Sequence, residues 1–217
     1  QSDGSATVAV DDDGVGGVMQ LTVDTTDNVE AYLYTTNESF KFANNKPLMA
    51  VCRFKINAAS SINACAMHWG LMNAVAGADN ILDATGEPAD AKDGIIMAKN
   101  VDAATIAVYA HTTGTGDGFL DDNKKTTDQS MVDDTYVTEM FTVEPISATE
   151  KRVKFFYDPN GGQNWQQMKD SSGNLITMTI TQTDASETEL SLYFGIKNAS
   201  TDAQVLDIDY VGVWQLR

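Results

Sequence analysis

Histidine and cysteine are scarce in this chain, with two of each in 217 residues. Metal sites and histidine catalysis need several converging side chains, so His68 and His111, each in a predicted strand, are expected to be packed or solvated and not ligands. Cys52 and Cys65 are too few for a disulfide framework or a thiolate cluster. Cys52 falls in phase with Leu48, Ala50, Phe54 and Ile56, and Cys65 with Met67, Trp69 and Leu71, which predicts buried free thiols in preference to a bridge. Basic residues are also few: 14 against 31 acidic ones, a formal net charge of −17. Such a surface repels phosphate backbones and anionic lipid, so neither nucleic acid nor a membrane is an expected partner. No apolar run approaches the ~18 residues of a membrane span, and residues 1–5 show neither the basic end nor the apolar run of a secretory leader, so none is expected there.

Proline is rare too, with four residues, and no Pro/Ser-rich linker breaks the pattern. With 42% hydrophobic residues available for a core, one β-sandwich domain over residues 1–217 is expected. What the chain has in abundance is period-two alternation. In residues 205–216, Leu206, Ile208, Tyr210, Trp214 and Leu216 share one predicted face, and Asp207 and Asp209 look the other way. Residues 189–197 alternate through Leu190, Leu192, Phe194 and Ile196, and pairing the two strands side by side is expected to form the centre of a sheet. Residues 48–56 alternate cleanly, with Leu48, Ala50, Cys52, Phe54 and Ile56 inward. Further strands are predicted at 18–23, 30–34, 39–43, 63–72, 94–99, 105–111, 136–144 and 151–158. A Gly-rich turn follows, leading into residues 164–169. Residues 1–16 read as an N-terminal arm or an edge strand around Ala6-Thr7-Val8-Ala9-Val10. Residues 73–93 and 112–134 read as long surface loops, where a rigid sandwich would carry a binding function. The fold class is all-β with very little helix.

Catalytic constellations are absent from the sequence. Asp207 and Asp209 alternate on one strand, but no third acid is placed to tune a proton donor, and no nucleophile elbow, phosphate loop or His-Glu-x-x-His occurs. No catalytic residue and no cofactor is therefore assigned. Asp11-Asp12-Asp13, Asp121-Asp122-Asn123 and Asp133-Asp134 supply hard oxygen atoms of the kind calcium takes. They match no helical calcium loop, so solvated acidic turns are the expectation and any metal ligand stays unassigned. Among the tryptophans, Trp69 and Trp214 are expected to pack in the core, leaving Trp165 beyond the hairpin turn as the exposed ring available to a sugar.

The strand order, with Lys151-Arg152-Val153-Lys154-Phe155-Phe156-Tyr157-Asp158-Pro159-Asn160-Gly161-Gly162 late and Leu206-Asp207-Ile208-Asp209-Tyr210-Val211-Gly212-Val213-Trp214-Gln215 last, resembles the concanavalin-A-like lectin/glucanase jelly roll. Hydrolases of that family carry Glu-x-Asp-x-x-Glu on a middle strand, and this chain has no such motif. Gly17-Val18-Met19-Gln20-Leu21-Thr22, Asp27-Asn28-Val29-Glu30-Ala31-Tyr32-Leu33 and Phe40-Lys41-Phe42-Ala43-Asn44-Asn45-Lys46-Pro47-Leu48 resemble the opening of structural proteins of tailed bacteriophages, particularly marine ones. That resemblance implies a non-enzymatic capsid decoration, or cement, protein at the virion surface. Its implied partners are the major capsid protein and copies of itself, in a homotrimer. A carbohydrate-binding module that holds glycans is the alternative, and a glucanase-type enzyme comes third.

Overall fold

Period-two alternation with one apolar face per strand drives two sheets together over a shared core. The computed structural model describes residues 6–11, 17–37, 39–43, 45–73, 93–112, 124–159, 164–181 and 189–216. In chain order the strands are β1 (Thr7–Asp11), β2 (Val18–Val23), β3 (Glu30–Tyr34), β4 (Phe40–Lys41), β5 (Leu48–Ala58), β6 (Cys65–Met72), β7 (Gly94–Lys99) and β8 (Thr105–His111). They continue as β9 (Lys124–Ser130), β10 (Val137–Pro145), β11 (Glu150–Asp158), β12 (Gln166–Gln167), β13 (Thr177–Thr181), β14 (Glu189–Asn198) and β15 (Gln204–Gln215). The helical content among the described residues is one 3-10 turn, Ile62–Ala64, opened by the Ser61 side chain accepting from the Asn63 amide. Among the described residues every strand pairing is antiparallel. The eight-stranded sheet runs β1-β2-β15-β5-β10-β11-β12, with β13 also on β11, and the seven-stranded sheet runs β3-β14-β6-β7-β8-β9, with β4 also on β14. The all-β sandwich with almost no helix is the class that the alternation predicts.

The expected side-by-side pairing of the last two long strands is not what forms. β14 pairs with β3 and β6, and β15 pairs with β2 and β5, so the two strands belong to opposite sheets. The connection turns through Asn198, Ser200 and Asp202, where the Asn198 Oδ1 accepts from the Ser200 amide and the Ser200 Oγ from the Asp202 amide. Alternation reveals an apolar face but does not tell whether the next strand lies beside it or across the core. A second difference is β9, inside a stretch expected to be irregular. Its residues are polar, and the buried Thr127 donates to the Ile106 carbonyl at 2.9 Å, a contact with no hydrophobic signature. Residues 74–92 and 113–123 of the two expected loops, and 160–163 of the expected turn, lie outside the described residues.

The third difference decides the functional surface. The β15 register against β5 breaks between Ile208 and Tyr210, leaving Asp209 as the extra residue of a bulge. One inserted residue exchanges the faces of everything beyond it. Leu206 and Ile208 are buried, as the phase predicts, but Tyr210, Trp214 and Leu216 are exposed, and Val213 packs against the core in their place.

The core itself follows the predicted phases. Trp69 lies between Phe141 and Phe194 at ring-centroid distances of 5.5 and 6.4 Å, and Cys52 and Cys65 are both free and buried. Burial raises both thiols, Cys65 to about 11, so neither supplies a thiolate near neutrality.

Glu139 is the exception in this apolar layer. It lies opposite Cys52 in the register and is fully buried; Trp69 Nε1 donates to its Oε2 at 2.5 Å while Oε1 has no partner among the described residues. Burial pushes the carboxyl up from 4.5 to about 8, more than the Trp69 hydrogen bond draws it down. The folded chain therefore keeps a proton that the unfolded chain releases. The contribution is complete below pH 4.5 and is lost as pH rises through about 8. Glu139→Gln, which keeps an acceptor for Trp69, is expected to remove a falling slope of up to about 1.4 kcal/mol per pH unit across that window. Denaturant midpoints of both proteins at several pH values check this, and parallel profiles would contradict it.

Candidate binding cleft

Where the two sheets part at one end of the sandwich, the chain leaves an open cleft of about 810 Å³. Its walls come from β4 and the segment that follows it, the start of β5, the end of β10, the start of β14 and the end of β15. This size is in the range of small-molecule sites. Phe40, Pro47, Leu48, Val143, Val213, Trp214 and Leu216 give it apolar surface, and Lys41, Lys46, Glu144 and Glu189 give it charges of both signs. Gln215 Nε2 donates to the Lys41 carbonyl and so ties the end of β15 to β4 across the cleft.

Trp214 is the feature that the bulge creates. It is 47% exposed and Tyr210, on the same face of β15, is 45% exposed. Between them lies Gly212, where an added Cβ would come 2.3 Å from Trp214 Cη2 and 2.7 Å from Tyr210 Oη. The two rings therefore lean together over a bare Cα, and a side chain at 212 would push them apart. Exposed large aromatics set beside a cleft with a few polar groups form a stacking platform for a ring with an apolar face.

Four acids singled out from the sequence, Asp207, Asp209, Asp133 and Asp134, have structural partners. Asp207 accepts from Gln20 Nε2 at 2.9 Å and lies 3.7 Å from Lys55 Nζ, and Asp209 pairs with Arg53, whose guanidinium lies 4.2 Å over the Tyr136 ring. The Asp134 hydrogen bond raises Lys55 most, opposed by partial burial and helped by the charges of Asp134 and Asp207. These acids are neutralised on the outside of the eight-stranded sheet and do not line the cleft. Asp133 accepts from the Ala58 amide at 2.8 Å and Asp134 pairs with Lys55 at 2.5 Å, so this acidic turn closes onto β5. Asp12, Asp13 and residues 121–123 lie outside the described residues. Among the described residues no group of three or more His, Cys, Asp and Glu is placed to hold a metal.

His68 and His111 lie buried on β6 and at the end of β8, and His111 Nδ1 is 3.2 Å from Asp93 Oδ1. Trp69 is buried as expected and Trp165 is half-buried. Trp214, expected in the core, is the exposed tryptophan. The signal that could have located it is the pair of acids at 207 and 209, whose basic partners across the strand fix the bulge.

No family model matches the chain, and no curated protein does. Solved structures do. An endo-β-1,4-glucuronan lyase from the fungus Trichoderma reesei superposes with a TM-score of 0.65 at 8% identity, over 98% of this chain and 88% of that one. The carbohydrate recognition domain of Emp46p, in its potassium-bound form, gives 0.61 at 12% identity over 96% and 86%. Lectin II from Ulex europaeus gives 0.59 at 12% identity over 98% and 91%. At such identities the likeness is one of fold: the chain adopts the jelly-roll sandwich of lectins and related glycan enzymes.

Proposed function

We propose that this protein is a non-catalytic, lectin-type binding module that holds a glycan in the cleft at the end of its sandwich. The observation that carries the reading is Trp214, exposed beside Tyr210 at the cleft wall. A sugar ring stacks its C–H face on an indole, and the polar side chains along the cleft offer partners to its hydroxyls. The similar structures include a lectin and a carbohydrate recognition domain, which supports glycan as the ligand class. They also include a lyase, and against catalysis here stand the ion-paired state of Asp207 and Asp209 and the missing acidic strand motif. A glycan array of the whole chain tests the reading. Trp214→Ala is expected to weaken the captured glycan at least about tenfold with an unchanged unfolding midpoint, and Gly212→Val, which displaces both rings, to weaken it comparably. Full affinity in both variants would remove the cleft from consideration.

A second reading is favoured by the resemblance of residues 17–48 to the opening of phage structural proteins. In it the module is carried on a virion as a decoration protein, bound to the major capsid protein as a homotrimer at the capsid surface. A protein that binds the assembled shell and not its free subunits stabilises the shell by mass action. The exposed edge strand β1, with Val8 37% and Val10 55% exposed, is the surface this reading uses for attachment. Native mass spectrometry together with co-sedimentation on capsids tests it: a monomer that stays in the supernatant would refute the decoration role and leave the glycan cleft standing.

A further inference from the structure

The rim of the cleft carries a charge of the opposite sign to the chain. Lys41 ends β4 and Lys46 lies in the segment that follows it, and Glu144 comes from the end of β10. Behind Glu144, on β11, Lys154 Nζ lies 3.0 Å from its carboxylate and Arg152 3.9 Å from it. Glu189, the other acid of the rim, sits directly across from Lys41 in the β4–β14 register. Four cations therefore gather around two carboxylates among the described residues here, on a chain with a formal net charge of −17. The cations lie far apart in sequence, and β10 brings them together by pairing with both β5 and β11. Each carboxylate has a basic neighbour, and Lys46 is the cation in excess: it is exposed and makes no ion pair among the described residues. Its backbone is nonetheless fixed. Asn45 before it is in the left-handed conformation at φ 55°, and the Leu216 amide donates to the carbonyl of Pro47 after it at 3.2 Å. The end of β15 that makes this bond also carries Trp214 and holds Lys41 through Gln215, so Lys46 and the exposed indole are mounted on one connected rim.

We propose that the glycan of this cleft is an anionic saccharide, with a sugar ring on Trp214 and its carboxylate or sulfate on Lys46. The inference rests on the cleft being the glycan site and adds the class of glycan. A neutral sugar would leave the Lys46 ammonium hydrated beside it, whereas an anionic substituent gains a charge-assisted hydrogen bond, about twice as strong as a neutral one. An ammonium is a point charge that serves either anion, so the chemistry it selects is the negative charge itself. The acidic surface elsewhere does not oppose such a ligand. Exposed charges are screened over about 8 Å at physiological ionic strength, so a saccharide in the cleft responds to the rim and not to acids on distant parts of the sandwich.

The test is calorimetric titration of the whole chain with oligogalacturonate, oligoglucuronate and carrageenan oligosaccharides, each beside its carboxyl-reduced or desulfated counterpart, which also separates the two anions. One acidic oligosaccharide is expected to bind at least about tenfold more tightly than its neutral counterpart, and more weakly as salt is raised. Lys46→Glu is expected to lose at least about tenfold of that affinity with an unmoved unfolding midpoint, and Lys46→Arg to keep it. A neutral counterpart bound as tightly as the acidic form and weakened by Trp214→Ala would overturn the anionic class and leave the cleft as the glycan site. Affinity for the acidic form unchanged in Lys46→Glu would overturn the placing of the anion. Binding by no acidic form would also overturn the proposal, and the cleft reading would still be decided by its own test, the loss of a captured glycan in Trp214→Ala.

Discussion

Replacing Phe54 by alanine is expected to lower stability by about 3 to 5 kcal/mol. Phe54 is 1% exposed, on β5 at the middle of the eight-stranded sheet, opposite Val137 on one side and Ile208 on the other. Its ring is held by strands on both flanks, so the cavity cannot close by moving a loop, and the loss of transfer free energy is joined by a cavity cost. Phe194, 3% exposed on the seven-stranded sheet and stacked on its cross-strand partner Trp69, is expected to behave the same way. Urea midpoints measured with constant m-values check both, and an unmoved midpoint in either would show that the ring does not face the core.

Removing Lys197 is expected to cost as much by a different route. Lys197 Nζ lies 2.9 Å from Glu30 Oε1, with both side chains almost wholly buried. Lys197→Met keeps most of the volume but removes the cation facing the Glu30 carboxylate in a low dielectric, which costs about 3 to 5 kcal/mol when a buried pair is broken from one side. Removing both charges together, as Lys197→Met with Glu30→Gln, is expected to recover most of that loss, because the desolvation of the pair disappears with it. Urea melts of the three variants decide it, and a double variant as unstable as the single one would show that neighbouring groups, not the pair, hold this edge of the sheet.

The sandwich was legible in the sequence because each long strand has one face to bury. Residues 48–56 show this most plainly: every inward position from Leu48 to Ile56 is buried, and Cys52 lies among them as a small apolar group. Strand partners were not legible, since the inner faces of β14 and β15 read alike whether the strands pair or oppose. The strand β9 was hidden because its residues bond through Thr127 and backbone groups and carry no apolar alternation. The site escaped for a related reason. A single extra residue at Asp209 carries Trp214 from the predicted core to the surface, and a bulge held by the pairing of Asp209 with Arg53 has no hydrophobic period to announce it.

Incubation of the intact chain with the glycan it captures on an array, and in parallel with glucuronan, followed by mass measurement of the free and the bound saccharide, tests binding without turnover. The expected result is a saturable complex with the captured glycan, weakened by Trp214→Ala, and saccharides of unchanged mass after prolonged incubation. Shortened saccharides whose appearance stops when cleft residues are replaced would make the protein an enzyme, and a chain that captures no glycan would refute the lectin-type reading.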